Sequence, residues 1–204
     1  MEGKILIADD HTVVRLGVKA ILKAEYPDIE IDLVSDFDTA KKYLQACKYS
    51  LVLLDINMKG STYTNMISEL KQIQKDVKIL IFTTYDKEVA IQYICKGAEG
   101  YLNKLSTEEE LKNAIVTILR TGYYYPSDLI HLIAESSQKK TSTMNLSPRE
   151  FEIFKLLANG NGNLEISNML GIQITTISTF KKKIFLKLGV KNIVELSKIY
   201  QNIH

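Results

Sequence analysis

The chain has 204 residues, 46% of them hydrophobic and 25% charged, with a formal net charge of +2 at pH 7. That length predicts two domains of about 100 residues each, and the composition excludes a disordered, collagenous or disulfide-framed protein. No apolar run approaches the roughly 20 residues of a membrane span, and "MEGKILIADD" lacks the regions of a secretory leader, so a cytoplasmic protein with no membrane partner is expected.

The first element, "KILIA" at residues 4–8, is apolar on both faces, as a strand buried in a parallel sheet is. It runs into Asp9 and Asp10. Adjacent carboxylates at the end of such a strand admit two readings: the N-cap of the following helix, or oxygen ligands for a hard divalent ion such as Mg2+. His11, with no second histidine nearby, reads as an exposed neighbour of the acids rather than a ligand.

Four more short apolar runs follow, "IDLVS", "LVLLD", "KILIFTT" and "GYLNK", interleaved with helical spacing that starts near Thr12, Asp38, Thr64, Asp86 and Thr107. In the last helix Leu111, Ile115, Ile118 and Leu119 form an apolar stripe, with Ser106 or Thr107 as cap. Cys47 and Cys95 lie on helix-patterned segments without CxxC spacing and read as packing residues. Five β/α repeats predict an α/β fold, a doubly wound five-stranded parallel sheet. In the flavodoxin-like order 2-1-3-4-5 the first and third strands are neighbours, so Asp55 joins Asp9 and Asp10 at the switch point. The fourth run ends in Thr83 and Thr84 and the fifth in Asn103 and Lys104, adding a hydroxyl and an ammonium suited to anionic oxygens. This joint pattern favours a metal and phosphoryl site over a cap.

Residues 1–125 therefore form one domain. Residues 126–144 read as a linker, with a short amphipathic piece from Asp128 to Glu135 before a Ser, Gln, Lys and Thr stretch. Residues 145–204 carry no strand pattern, only four short helical segments, the first opened by Ser147, Pro148 and Glu150 as cap, N1 proline and capping box. A small all-α four-helix domain is expected. From Thr141 onward there are eight basic and four acidic residues, against eighteen and twenty in the remainder, so the second half is the one suited to a polyanion. "ISNMLGIQITTISTFKKKIFLKLGV" has the order helix, glycine turn, helix of a helix-turn-helix. At 100° per residue Ile177, Ile184 and Leu188 share a line, while Ser178, Thr179, Lys182 and Lys183 fall on the far side.

Over residues 1–125 the chain resembles the receiver domain of a two-component response regulator, through "ILIADDH", "LVLLDINMKG", "ILIFTTYD" and "KGAEGYLNKLS". The resemblance implies Asp55 as phosphoacceptor, with Mg2+ bound by Asp10, supported by Asp9, and by Asp55 and the carbonyl of Asn57. It implies that Thr83 and Lys104 hold the phosphoryl oxygens, and that Tyr101 is the aromatic whose rotamer follows Thr83. Two positions depart from the family's D-x-x-M-P-G-x-x-G: Lys59 replaces the proline and Tyr63 the second glycine. These changes predict a looser loop and deny easy positive φ at Tyr63.

From Leu146 to Leu196 the chain resembles the LuxR-type DNA-binding domain of NarL/FixJ-type regulators, through "LSPREFEIFKLLANG", "EISNMLGI", "TTISTFKKKI" and "KLGVKN". Ser178, Thr179 and Lys182 fall where that family contacts bases, leaving Thr176, Lys181, Lys183, Lys187 and Lys191 for DNA phosphates. Ser178 stands where the family usually has Lys, so no target sequence transfers. The resemblance implies a transcription factor, not an enzyme, controlled by a sensor histidine kinase acting on Asp55. Double-stranded DNA and a homodimer formed on phosphorylation are its further partners, with the helices at residues 13–24 and 111–122 as the candidate dimer faces.

Two other readings compete. One is a constitutive DNA-binding regulator whose receiver only dimerises or binds partners, kept open by Lys59 and Tyr63. The other, a phosphatase working through an aspartyl phosphate, is weak, because the position two residues after Asp55 is the amide Asn57. No P-loop pattern supports a nucleotide kinase.

Overall fold

The computed structural model of the chain describes residues 3–126, 129 and 146–201. It divides into two compact units, Met1–Glu135 and Ser136–His204. The predicted amphipathic piece from Asp128 to Glu135 and the predicted domain boundary lie outside the described residues, except for Leu129, which is buried.

In the first unit β1 (Lys4–Ala8), β2 (Glu30–Val34), β3 (Leu51–Leu54), β4 (Lys78–Thr83) and β5 (Gly100–Asn103) form one parallel sheet in the order 2-1-3-4-5. They alternate with α1 (Thr12–Glu25), α2 (Phe37–Ala46), α3 (Asn65–Ile73), α4 (Lys87–Ile94) and α5 (Glu108–Thr121). Successive strand residues face opposite sides of a sheet, so a strand covered on both sides is apolar throughout. One face buries Ile5, Ile7, Leu51, Leu53, Leu80 and Leu102 against Val18 and Leu22 of α1 and Leu111, Ile115 and Ile118 of α5. Leu6, Val52, Ile79 and Ile81, the alternate residues, are equally buried. Gly100 admits no side chain: an added Cβ would lie 2.8 Å from Leu80 Cδ1 and 2.9 Å from the Tyr124 carbonyl oxygen.

β1 ends with its apolar run at Ala8, and β3 and β5 end one residue before theirs, which leaves Asp9, Asp55 and Lys104 just beyond the strands. The ladder still reaches these residues. The Asp9 N–H donates to Val34 O, the Asp55 N–H to Ala8 O and the Lys104 N–H to Thr83 O, at 3.1, 2.8 and 2.9 Å. Their backbones are therefore as fixed as the sheet itself.

Thr107, of the two candidate residues, caps α5 in a capping box with Glu110. Neither Asp9 nor Asp10 caps α1; His11 occupies that position and makes no side-chain cap bond. Cys47 and Cys95 are not packing residues: both are exposed at helix C-caps, beyond the last turn that the core covers.

In the second unit the four predicted helices are α6 (Pro148–Ala158), α7 (Asn163–Leu170), α8 (Ile174–Leu188) and α9 (Ile193–Gln201). Ser147, Pro148 and Glu150 open α6 with the expected capping box. Phe151, Phe154, Leu157, Ile166, Ile177, Ile184 and Leu196 form the buried centre. Between α7 and α8 the chain turns at Gly171, whose φ of +64° is the left-handed conformation that suits glycine at a helix C-terminus. Among the described residues no helix is long and apolar enough to cross a membrane.

Candidate functional sites

The carboxyl ends of β1, β3 and β5 bring Asp9, Asp55 and Lys104 together. Asp9 and Asp55 are 1% and 3% exposed. Lys104 Nζ donates to Asp55 Oδ2 at 2.8 Å and lies 2.7 Å from Asp9 Oδ2, an ion-pair contact without hydrogen-bond geometry. The Asn57 N–H donates to Asp55 Oδ1 at 3.1 Å, which sets the peptide of Asn57 beside the pocket. Burial pushes the Asp55 carboxyl above its ordinary range, and the nearby charge of Asp9 adds to this; Lys104 and the Asn57 N–H act in the other direction. Burial also works against the charge of Lys104, but its two carboxylate partners outweigh it and hold the ammonium above its usual value.

Asp10 stands at the mouth of the pocket, its side chain 42% exposed. His11 is exposed and neighbours the acids, as expected: its Nδ1 lies 2.7 Å from Asp10 Oδ1 and 3.2 Å from Asp9 Oδ1, and its backbone N–H donates to Asp9 Oδ1. One ligand atom from each of Asp9, Asp10, His11 and Asp55 falls within 4.8 Å of the others. This set fits Mg2+. Three of the four donors are hard carboxylate oxygens, and Asp9 Oδ2 is buried without a hydrogen bond.

Thr83 is buried at the end of β4, and its Oγ1 accepts from the Tyr85 N–H at 3.3 Å. Tyr101 is also buried, and its hydroxyl donates to Tyr85 O at 3.0 Å while accepting from Asn103 Nδ2 at 3.3 Å. One residue's backbone thus joins the two residues expected to act as a couple: Thr83 holds the N–H of Tyr85 and Tyr101 its carbonyl. Tyr85 was not singled out in the sequence, where nothing but its place between Thr83 and the next helix marks it.

The loop after Asp55 is tied down despite Lys59. The Lys59 carbonyl accepts from the Phe37 N–H at 2.9 Å, so a backbone bond to the start of α2 fixes the strand exit that proline would have stiffened. Tyr63 adopts positive φ all the same, at +56°, the only non-glycine residue to do so among those described. The conformation survives the loss of glycine and is strained.

In the second unit α8 is the second helix of the helix-turn-helix. Ile177, Ile184 and Leu188 are buried as predicted, and Thr176, Thr179, Lys182 and Lys183 are exposed. Ser178 is less exposed than these: it is half-buried where α8 meets α7, its hydroxyl donating to Ile174 O and accepting from Asn163 Nδ2. Lys187 is exposed but held inward, its Nζ 2.6 Å from the buried Glu150 carboxylate that completes the α6 capping box. Lys181 is half-buried, with Nζ over the Phe185 ring, and Lys191 is exposed in the turn before α9.

Residues 5–116 match the family model described as the response regulator receiver domain, and residues 144–199 match that of the bacterial regulatory proteins of the luxR family. The chain belongs to the NarL/FixJ-type response regulators, two-component transcription regulators in which a receiver precedes a LuxR-type helix-turn-helix domain. It is 33% identical to the Fimbriae Z protein of Salmonella typhimurium over 198 residues, covering 95% of this chain and 94% of the relative. It is also 33% identical to the oxygen regulatory protein NreC of Staphylococcus carnosus over 204 residues, with the same coverage. RcsB from Salmonella enterica serovar Typhimurium, bound to promoter rprA in the presence of the phosphomimetic BeF3-, shares the fold at a TM-score of 0.58 and 24% identity, over 98% of this chain and 99% of that one.

Proposed function

We propose that Asp55 accepts a phosphoryl group from the phosphohistidine of a partner sensor histidine kinase in the cytoplasm, and that this modification controls DNA binding by the second domain. The observation that carries this reading is the convergence of Lys104 on two buried carboxylates, Asp9 and Asp55, beside the more exposed Asp10. An Asp55 oxygen attacks phosphorus while the bond to the donor nitrogen breaks, a carboxylate acting as nucleophile. Asp9, Asp10, Asp55 and the Asn57 carbonyl would hold Mg2+, which when bound would supply neutralising charge for the transferred group. Lys104 swings from carboxylate to phosphoryl oxygen, and Thr83 hydrogen-bonds another. Because Thr83 already holds the Tyr85 N–H, that change reaches Tyr101 through the backbone of one residue. Thr83 and Tyr101 thus form the element on which phosphorylation acts.

The modified receiver forms a homodimer, presenting two copies of α8 to double-stranded DNA. Ser178, Thr179 and Lys182 meet base edges, while Thr176, Lys181, Lys183 and Lys191 meet phosphates. Lys187 joins them only by leaving Glu150. The DNA-bound RcsB structure, similar in fold, is in keeping with this reading.

The test uses the full chain with Mg2+ and acetyl phosphate, followed by intact-mass measurement and sedimentation. One added phosphoryl group is expected, with a shift to dimer, and both are expected to be absent in Asp55→Asn. Equal labelling of that variant overturns the phosphoacceptor assignment. Dimers of equal strength with and without donor favour the constitutive regulator instead.

A further inference from the structure

Ser178 has one hydroxyl proton and two lone pairs. The proton goes to Ile174 O, one turn back in α8, at 3.0 Å, and one lone pair takes a hydrogen bond from Asn163 Nδ2, on the first residue of α7, at 3.1 Å. The second bond directs the first. With an amide N–H aimed at the oxygen, the proton of Ser178 must point elsewhere, and the Ile174 carbonyl is there to receive it. Only one lone pair is left. Thr179 differs: its hydroxyl also donates one turn back, to Thr175 O at 3.0 Å, but among the described residues no bond from another helix holds it in that role.

We propose that Ser178 meets DNA only as a hydrogen-bond acceptor and therefore reads an exocyclic amine in the major groove, adenine N6 or cytosine N4, with Asn163 as the residue that imposes this polarity. The proposal rests on the reading of α8 as the DNA-contacting helix. In the major groove the amines of A and C are the donors, while purine N7, guanine O6 and thymine O4 are acceptors. A fully used hydroxyl proton excludes the acceptors. Lys182, four residues further along the same side of α8 and exposed, is a donor only and takes those acceptors instead. The helix thus presents an acceptor and a donor one turn apart, which gives the family's base-contacting positions opposite polarities in this chain.

The experiment has two stages. Duplexes selected by the full-length protein from a random pool are compared with those selected by Ser178→Ala, to find the base pair whose preference the substitution removes. That pair is then rebuilt with its amine deleted, purine for adenine or 2-pyrimidinone for cytosine, or with purine N7 replaced by carbon. Amine deletion is expected to weaken binding about threefold to tenfold, the effect of one neutral hydrogen bond, and to cost Ser178→Ala nothing further. Asn163→Ala frees the hydroxyl to donate as well, so the penalty for amine deletion shrinks while binding to unrelated DNA is unchanged. Finding no Ser178-dependent pair, or finding that loss of N7 instead of the amine cancels the Ser178 effect, overturns the proposal. Failure of the unaltered chain to bind any duplex at low salt overturns the DNA-binding reading with it.

Discussion

The ammonium of Lys104 lies 2.8 Å from the carboxylate of Asp55, although β4 separates their strands in the sheet. It reaches Asp9 as well, so a single cation offsets two carboxylates in a pocket where its own side chain is 8% exposed. Removing it leaves two buried acids side by side.

Lys104→Ala is therefore expected to destabilise the receiver by about 3 kcal/mol in the presence of chelator, the cost of stranding one side of a buried ion pair. Mg2+ should restore part of that loss by taking over the neutralising role. Denaturant unfolding of the full chain, following the receiver transition with and without Mg2+, measures both effects. A loss under about 1 kcal/mol in chelator would falsify this account of the pocket.

Tyr63 carries positive φ, which costs an L-residue roughly 1–2 kcal/mol. Tyr63→Gly removes that strain and adds about 0.5–1 kcal/mol of chain entropy loss on folding. The expected outcome is a small net gain in receiver stability. Tyr63→Ala keeps the strain and should gain nothing. Thermal unfolding of the two variants side by side tests this: an equal response from both would mean that φ at residue 63 is not the controlling factor.

Burial opposes the charge of Glu150, but Lys187 and the Ser147 N–H outweigh it and hold the carboxyl below the ordinary glutamate range. A depressed folded-state pKa contributes stability above the unfolded value, near 4.5, and loses it as pH falls through the folded value. Glu150→Gln is expected to cost the second domain about 1 kcal/mol at pH 7, of the order of a lost cap, and to converge with the unaltered chain at low pH. A pH series of urea titrations would show parallel curves for the two proteins if Glu150 were not the titrating group.

Lys182 and Lys183 are adjacent and exposed but should fail in different ways. Lys182→Ala is expected to cost about 1–3 kcal/mol on the preferred site and to relax discrimination at one base position. Lys183→Ala should weaken binding to all sequences alike and lower the salt slope by roughly 1. Fluorescence titrations of specific and scrambled duplexes at several salt concentrations separate the two signatures; identical behaviour of the variants would remove the distinction between base and phosphate contacts on α8.

Much of this protein is local, and what is local could be read in the sequence. The five strands and nine helices among the described residues follow from apolar periodicity, because each segment's burial is recorded in its own pattern. The capping boxes of Thr107 and Ser147 lie within four residues of their partners and could be read in the same way. The candidate acceptor site was legible too, since strand ends and sheet order suffice to bring Asp9, Asp55 and Lys104 together. Side-chain partnership was decided by the tertiary structure. No window of sequence shows that Lys187 turns to Glu150, that Asn163 takes a lone pair of Ser178, that the backbone of Tyr85 joins Thr83 to Tyr101, or that His11 leans onto the acids it follows. Periodicity says which face of an element is covered. Which atom satisfies which depends on how the elements pack, because a hydrogen bond is made or lost over a few tenths of an ångström and is set by groups distant in the chain.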